Sequence, residues 1–139
     1  MLFRSYWYNG FVVGSEIARG MDLLRLKAGP LLSKNEIEAA AESVRAEQLN
    51  PQHQMPFVWP ASFAVVRSYL DQLVRNRGLA ATRTARIAAT LARAEKASGD
   101  ERRAALERLA GEIEKDAERA ADSARVKKLA GAVADLAKA

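Results

Sequence analysis

The chain has 139 residues, 49% of them hydrophobic and 28% charged, a size and balance that fit one folded domain or a domain plus a fragment. It contains no cysteine and a single histidine, His53, which leaves no thiol chemistry, no disulfide and no cysteine-based zinc site. The net charge of +5 is local: residues 1–74 carry seven basic and seven acidic side chains and residues 98–139 nine of each, so the whole excess falls in residues 75–97.

The N-terminus, Met1 to Trp7, lacks a charged lead followed by a small-residue cleavage site, so no signal peptide is expected. No apolar run reaches the length of a membrane span. Tyr6-Trp7-Tyr8 and Phe11-Val12-Val13 flank Asn9-Gly10. Asn-Gly between β-prone runs signals a hairpin, because both residues accept the positive φ of a tight primed turn. Gly14-Ser15-Glu16 and Arg19-Gly20 read as turn or loop positions around Ile17-Ala18, and Met21 to Leu26 as a further extended segment ending before Gly29-Pro30. Such a ribbon is marginal alone and exposes edges that seek a partner. Tyr6, Trp7, Tyr8 and Phe11 are therefore the candidates for a protein partner or for self-association.

From Ser33 the period becomes helical. Ser33 and Glu36 fit a capping box, and Ile37, Ala40, Ala41 and Val44 follow on one face. A loop from Leu49 to Pro56 carries His53. The next helix is expected from about Pro60, with Phe63, Val66, Leu70, Leu73 and Val74 inward and Gly78 in the place of a C-terminal glycine. Trp59, with Phe57 and Met55, is expected to pin the loop. Three more helices follow. The first spans about Thr82 to Ala97 with Ile87, Leu91 and Ala94 inward, and Gly99 closes it. The second is capped by Asp100 and bears Leu106, Leu109, Ile113, Ala117 and Ala120. The last is capped by Asp122 or Ser123 and bears Val126, Leu129, Val133 and Leu136. The fold expected is mainly α: an antiparallel bundle of about five helices (residues 30–139) preceded by a β-hairpin remnant (residues 1–29).

The segment Tyr6 to Leu26, with Asn35-Glu36-Ile37, Phe57-Val58-Trp59-Pro60-Ala61 and Tyr69-Leu70-Asp71-Gln72-Leu73, resembles the last blade strands and helical tail of bacterial LVIVD-repeat β-propeller proteins. The resemblance implies the tail end of a larger protein, a binding or scaffold role, and an extracellular setting if the chain belongs to a secreted propeller. It supplies no catalytic residues.

No catalytic constellation assembles on paper. A triad would have to run on His53 alone, no calcium-loop spacing occurs, and the glycines do not form a phosphate loop. Neither enzyme activity, nor a cofactor, nor a bound metal is expected. The acidic residues Glu112, Glu114, Asp116 and Glu118 read as a solvated, salt-bridged helix surface. The basic stretch is the rival to a purely structural role: Arg83, Arg86, Arg93 and Lys96 could meet an anionic polymer through counterion release. No aromatic side chain is interleaved for base stacking, so nucleic acid is not the expected partner. Arg75 and Arg77 suit the negative end of a helix dipole.

Overall fold

A computed structural model describes residues 4–8, 10–16, 20–43 and 58–139, without the side chains of Arg4, Tyr8 and Glu16. Asn9, Ile17 to Arg19, Val44, the His53 loop, Met55 and Phe57 lie outside the described residues.

The chain is mainly helical, with a small antiparallel sheet at its N-terminal end. Strands β1 (Arg4–Tyr8), β2 (Phe11–Glu16) and β3 (Gly20–Leu24) form a meander in the order β1-β2-β3. Tyr8 stands opposite Phe11 at the first turn, where Gly10 has φ +87°, as a tight hairpin requires. Gly14, Ser15 and Glu16 are strand residues and not the turn expected from their composition. Each has a cross-strand partner (Gly14 with both Ser5 and Asp22), so ladder pairing outweighs local preference. A further tight turn, closed by backbone bonds between Gly29 and Leu32, delivers the chain to the first helix.

Helix α1 (Lys34–Glu42) starts at the expected capping box: Ser33 Oγ accepts from the Glu36 N–H at 3.1 Å, and Glu36 accepts from the Ser33 N–H at 2.7 Å. Its buried residue is Ala39, while Ala41 is exposed, so the buried face is turned from the one expected. The Trp7 indole N–H donates to the Ala40 carbonyl at 3.1 Å and ties the end of α1 to the sheet. This is why α1 belongs to one compact unit with the strands, Met1–Pro60, and the second unit is Ala61–Ala139. The sequence-based division at 29/30 falls in the connection between β3 and α1, whereas the compact units divide between Pro60 and Ala61.

The second unit is a four-helix bundle of α2 (Phe63–Arg75), α3 (Ala81–Lys96), α4 (Gly99–Asp116) and α5 (Ser123–Lys138), with a 3₁₀ turn at Ala117–Arg119. Each helix packs on its neighbour in sequence, and α5 returns to α2 to close the ring. The fifth expected member of the bundle, α1, sits with the sheet. Leu73, Ile87, Leu91, Leu106, Ile113, Val126, Leu129 and Val133 are fully buried and form one core with Val66, Leu70 and Leu109. Alanines 94, 110, 117, 130 and 137 fill the seams, letting the backbones approach.

Helix α2 begins three residues after Pro60. Ser62 is the N-cap, extended at φ −140°, and its hydroxyl accepts from the Val65 N–H at 3.3 Å. Phe63, Val66, Leu70 and Leu73 face the core as expected; Val65 is buried as well, and Val74 is 56% exposed. At the C-terminus the Gly78 N–H reaches the Leu73 carbonyl at 3.0 Å and the Arg77 N–H reaches Val74 at 3.3 Å. That is the Schellman pattern, with Arg77 at φ +54° in the left-handed place and Gly78 one residue beyond. Gly78 is needed for space: a Cβ there would lie 2.7 Å from both Asn76 Oδ1 and Asp122 Cβ, and 2.8 Å from Leu73 Cδ2.

Helix α4 is preceded by Ser98 in the cap position, and Asp100 lies in its first turn with Glu101, where both carboxylates complement the helix dipole. Helix α5 is capped as expected by Asp122, whose Oδ1 accepts from the Arg125 N–H at 3.0 Å.

Candidate functional site

Of the four cations singled out from the basic stretch, Arg83 does not belong to an open surface. Its side chain is only 17% exposed, with Nε 2.5 Å from Asp116 and Nη2 3.2 Å from Glu112, both on α4. Burial acts to lower its pKa, but the hydrogen bonds and charges of Asp116 and Glu112 prevail and hold it raised. Two of the four acidic residues expected on a solvated, salt-bridged surface are thus salt-bridged to this one guanidinium. The one acid of the stretch, Glu95, is in turn gripped by Arg67 of α2, with N···O distances of 2.6 and 3.3 Å. Charge that is unbalanced along the chain is therefore partly balanced across the bundle.

Arg86, Arg93 and Lys96 remain on the outer side of α3, all exposed. Arg93 donates to Thr90 Oγ1 at 3.3 Å and lines an open groove of about 440 Å³ between α3 and α4. The groove floor is Ala94, Ala97, Ala105 and Leu109, and its walls carry Arg93 and Arg108 against Glu101 and Glu112. Two cations and two anions make no one-signed field, so no strong anion focus forms there. Among the described residues no group of three or more His, Asp or Glu lies close enough to hold a metal ion, and no helix is long and apolar enough to cross a membrane.

The N-terminal candidates divide by strand alternation. Trp7 points to the side occupied by α1 and is engaged there. Tyr6 and Phe11 face the other side, where Tyr6, Val13 and Leu23 are register partners across all three strands. Arg25 lies over the Phe11 ring, 5.1 Å from its centroid. Tyr8 is placed by its backbone alone. The residue pattern understated β3, where every residue is exposed. Met21 is 63%, Leu23 61% and Leu24 57% exposed. The signal was present in Met21-Asp22-Leu23-Leu24, which bears one charge and none of the lysines or prolines that commonly protect a sheet edge. Trp59, expected to be packed, is 47% exposed.

A polar junction that the sequence did not reveal joins the end of α2 to the start of α5. Asn76 Nδ2 donates to Asp122 Oδ2 at 2.7 Å, the Asp122 N–H donates to the Gly78 carbonyl at 3.1 Å, and Arg125 reaches both Asp122 and Gln72. The bond from the Arg125 backbone N–H is the largest influence on the Asp122 carboxyl. With Asn76 and the Arg125 guanidinium it holds that group below the usual aspartate pKa, against a smaller opposing effect of burial. The junction fixes the bundle and offers no open chemistry.

Comparison with protein-family models, with curated proteins and with solved structures finds no match for this chain.

Proposed function

We propose that the chain is a non-catalytic structural or protein-binding module, in which a self-contained helical bundle accompanies a small sheet that docks a partner. The observation carrying this reading is the exposure of Met21, Leu23 and Leu24 on a strand that, among the described residues, pairs with β2 alone. Met21 and Leu23 project from one face of the sheet and Leu24 from the other; exposed apolar side chains on an edge strand mark an interaction surface, and such a strand offers a row of backbone donors and acceptors to an incoming strand. The resemblance to the tail of a secreted β-propeller protein accords with this reading, because blades of such proteins are antiparallel sheets that associate with other sheets.

Selection of random linear peptides against the chain tests it. Binders should show alternating apolar residues, as an added strand would, and Leu23→Lys should release them. Binders that ignore this substitution would refute the reading.

The second reading, an anion-binding module for nucleic acid or an acidic polymer, is favoured by the exposure of Arg86 and Lys96 on one helix. It is the weaker, because Arg83 is committed to two carboxylates and Arg93 faces a groove of mixed charge.

A further inference from the structure

We infer that the groove between α3 and α4 is a self-docking surface: α4 of a second copy lies in it antiparallel to α4, with Glu101 of each copy opposite Arg108 of the other. This goes beyond the reading above and does not depend on it, since it concerns the bundle and not the sheet.

Charge is left over inside the groove. Glu112, one turn beyond Arg108 on α4, is the acid placed to serve it within the helix, but Glu112 is taken by Arg83 at 3.2 Å. Arg108 and Glu101 both line the groove, and neither has an ion-pair partner among the described residues. They stand two turns apart on α4, about 10.5 Å along its axis. Ala105 lies between them, and Ala94 and Ala97 of the α3 side share the same floor.

A base and an acid placed about a midpoint on one helix face complement their own antiparallel image. A two-fold axis passing between Ala104 and Ala105 sets each Glu101 against the Arg108 of the other copy. One contact then answers both leftover charges on both copies, and it closes after two. The parallel alternative in the same register would set Glu101 against Glu101 and Arg108 against Arg108, and repulsion excludes it. The residues at the midpoint, Ala104 exposed and Ala105 half-buried, are small enough for two helices to approach closely. The same rotation brings Glu112 level with Ala97, so no acid meets an acid there. The apolar floor of Ala94, Ala97, Ala105 and Leu109 supplies the area to be covered. The exposed ion pairs fix register and direction more than they add affinity.

Charge reversal in the full chain tests this. Sedimentation equilibrium at low ionic strength should show a weak, reversible dimer of the unsubstituted chain. Glu101→Arg and Arg108→Glu should each be monomeric over the same concentrations. Mixed in equal amounts, these two variants should form a heterodimer, because one then presents two bases and the other two acids. The double substitution should restore the homodimer. Asp100→Arg loses the same favourable charge from the first turn of α4 but lies outside the groove, and it should dimerise as the parent does. Helical circular dichroism verifies that every variant is folded. A parent that stays monomeric at every concentration overturns the inference. So does a dimer that survives either single reversal, or a mixture of the two reversals that remains monomeric. A dimer abolished by Leu23→Lys would place the association on the sheet and overturn it as well.

Discussion

The turn after α2 makes opposite demands of two adjacent residues, and substituting each in turn separates them. Gly78 carries no strain in φ but has no room. A methyl group there would come within 2.7 Å of Asn76 Oδ1 and Asp122 Cβ and 2.8 Å of Leu73 Cδ2. Leu73 is fully buried and cannot swing aside, while Asn76 and Asp122 are held by their mutual hydrogen bond. Gly78→Ala should therefore cost about 2 kcal/mol, the middle of the range for overpacking a filled site. Arg77 has room but sits at φ +54°. The left-handed conformation costs a non-glycine residue about 1–2 kcal/mol, and glycine would relieve it at the expense of about 0.4–1 kcal/mol in added unfolded-state freedom. Arg77→Gly should thus be neutral to stabilising by about 1 kcal/mol. Urea unfolding followed by helical circular dichroism reads both. For a unit of this size about 2 kcal/mol corresponds to a fall in melting temperature of roughly 8–16 °C. Destabilisation by Arg77→Gly, or tolerance of Gly78→Ala, would refute the reasoning.

The remaining predictions concern the core, the polar junction and the basic face. Leu109→Ala should cost about 2–4 kcal/mol by lost transfer energy and a residual cavity, and an unchanged melting curve would show the stripe is not buried. The Asp122 carboxyl titrates below its unfolded value, so its contribution to stability is present above the unfolded pKa of about 3.9 and is lost as pH falls through the folded one. Asp122→Asn should accordingly be less stable than the parent near neutral pH, with the gap closing in acid; a gap that widens as pH falls contradicts the assignment. Replacing Arg86 and Arg93 by Gln should change stability by no more than about half a kcal/mol. Neither duplex DNA nor heparin should bind at about 50 mM salt; binding with a log–log salt slope of roughly −3, flattened by those substitutions, would instead establish the anion-binding reading.

The helical stripes were legible because each is a local pattern. Ile87, Leu91 and Ala94, then Leu106, Leu109 and Ile113, then Val126, Leu129 and Val133, all fall inside where their 3-4 spacing puts them. The Ser33–Glu36 box and the Asp122 cap were legible for the same reason, since partner and cap lie three residues apart. What escaped depends on residues far away in sequence. Gly14 to Glu16 read as a turn because pairing with two other strands is invisible locally. Arg83 read as a free cation because Asp116 and Glu112 approach it from another helix. Gly78 read as the left-handed residue because glycine is the usual occupant, whereas the space it must leave belongs to Asp122, forty-four positions on. The start of α2 was a competition between two adequate signals, Pro60 and Ser62. The serine prevailed because its hydroxyl satisfies an otherwise unpaired N–H, which proline only avoids creating. Among the N-terminal candidates Trp7 is spent on Ala40 while Tyr6 is exposed, and β3, outside that candidate set, is exposed along its length.

The claim on which the functional account turns is that β3 is a docking edge. Amide hydrogen exchange across the chain tests it directly, as a selected strand-like peptide is added to Leu23→Lys and to the parent. The account predicts that exchange of the outward-facing amides among residues 20–24 slows in the parent, stays fast in Leu23→Lys, and is unchanged throughout residues 61–139 in both. Slow exchange of the outward-facing β3 amides already in the dilute monomer, or protection that appears on α3 and not on β3, would contradict it.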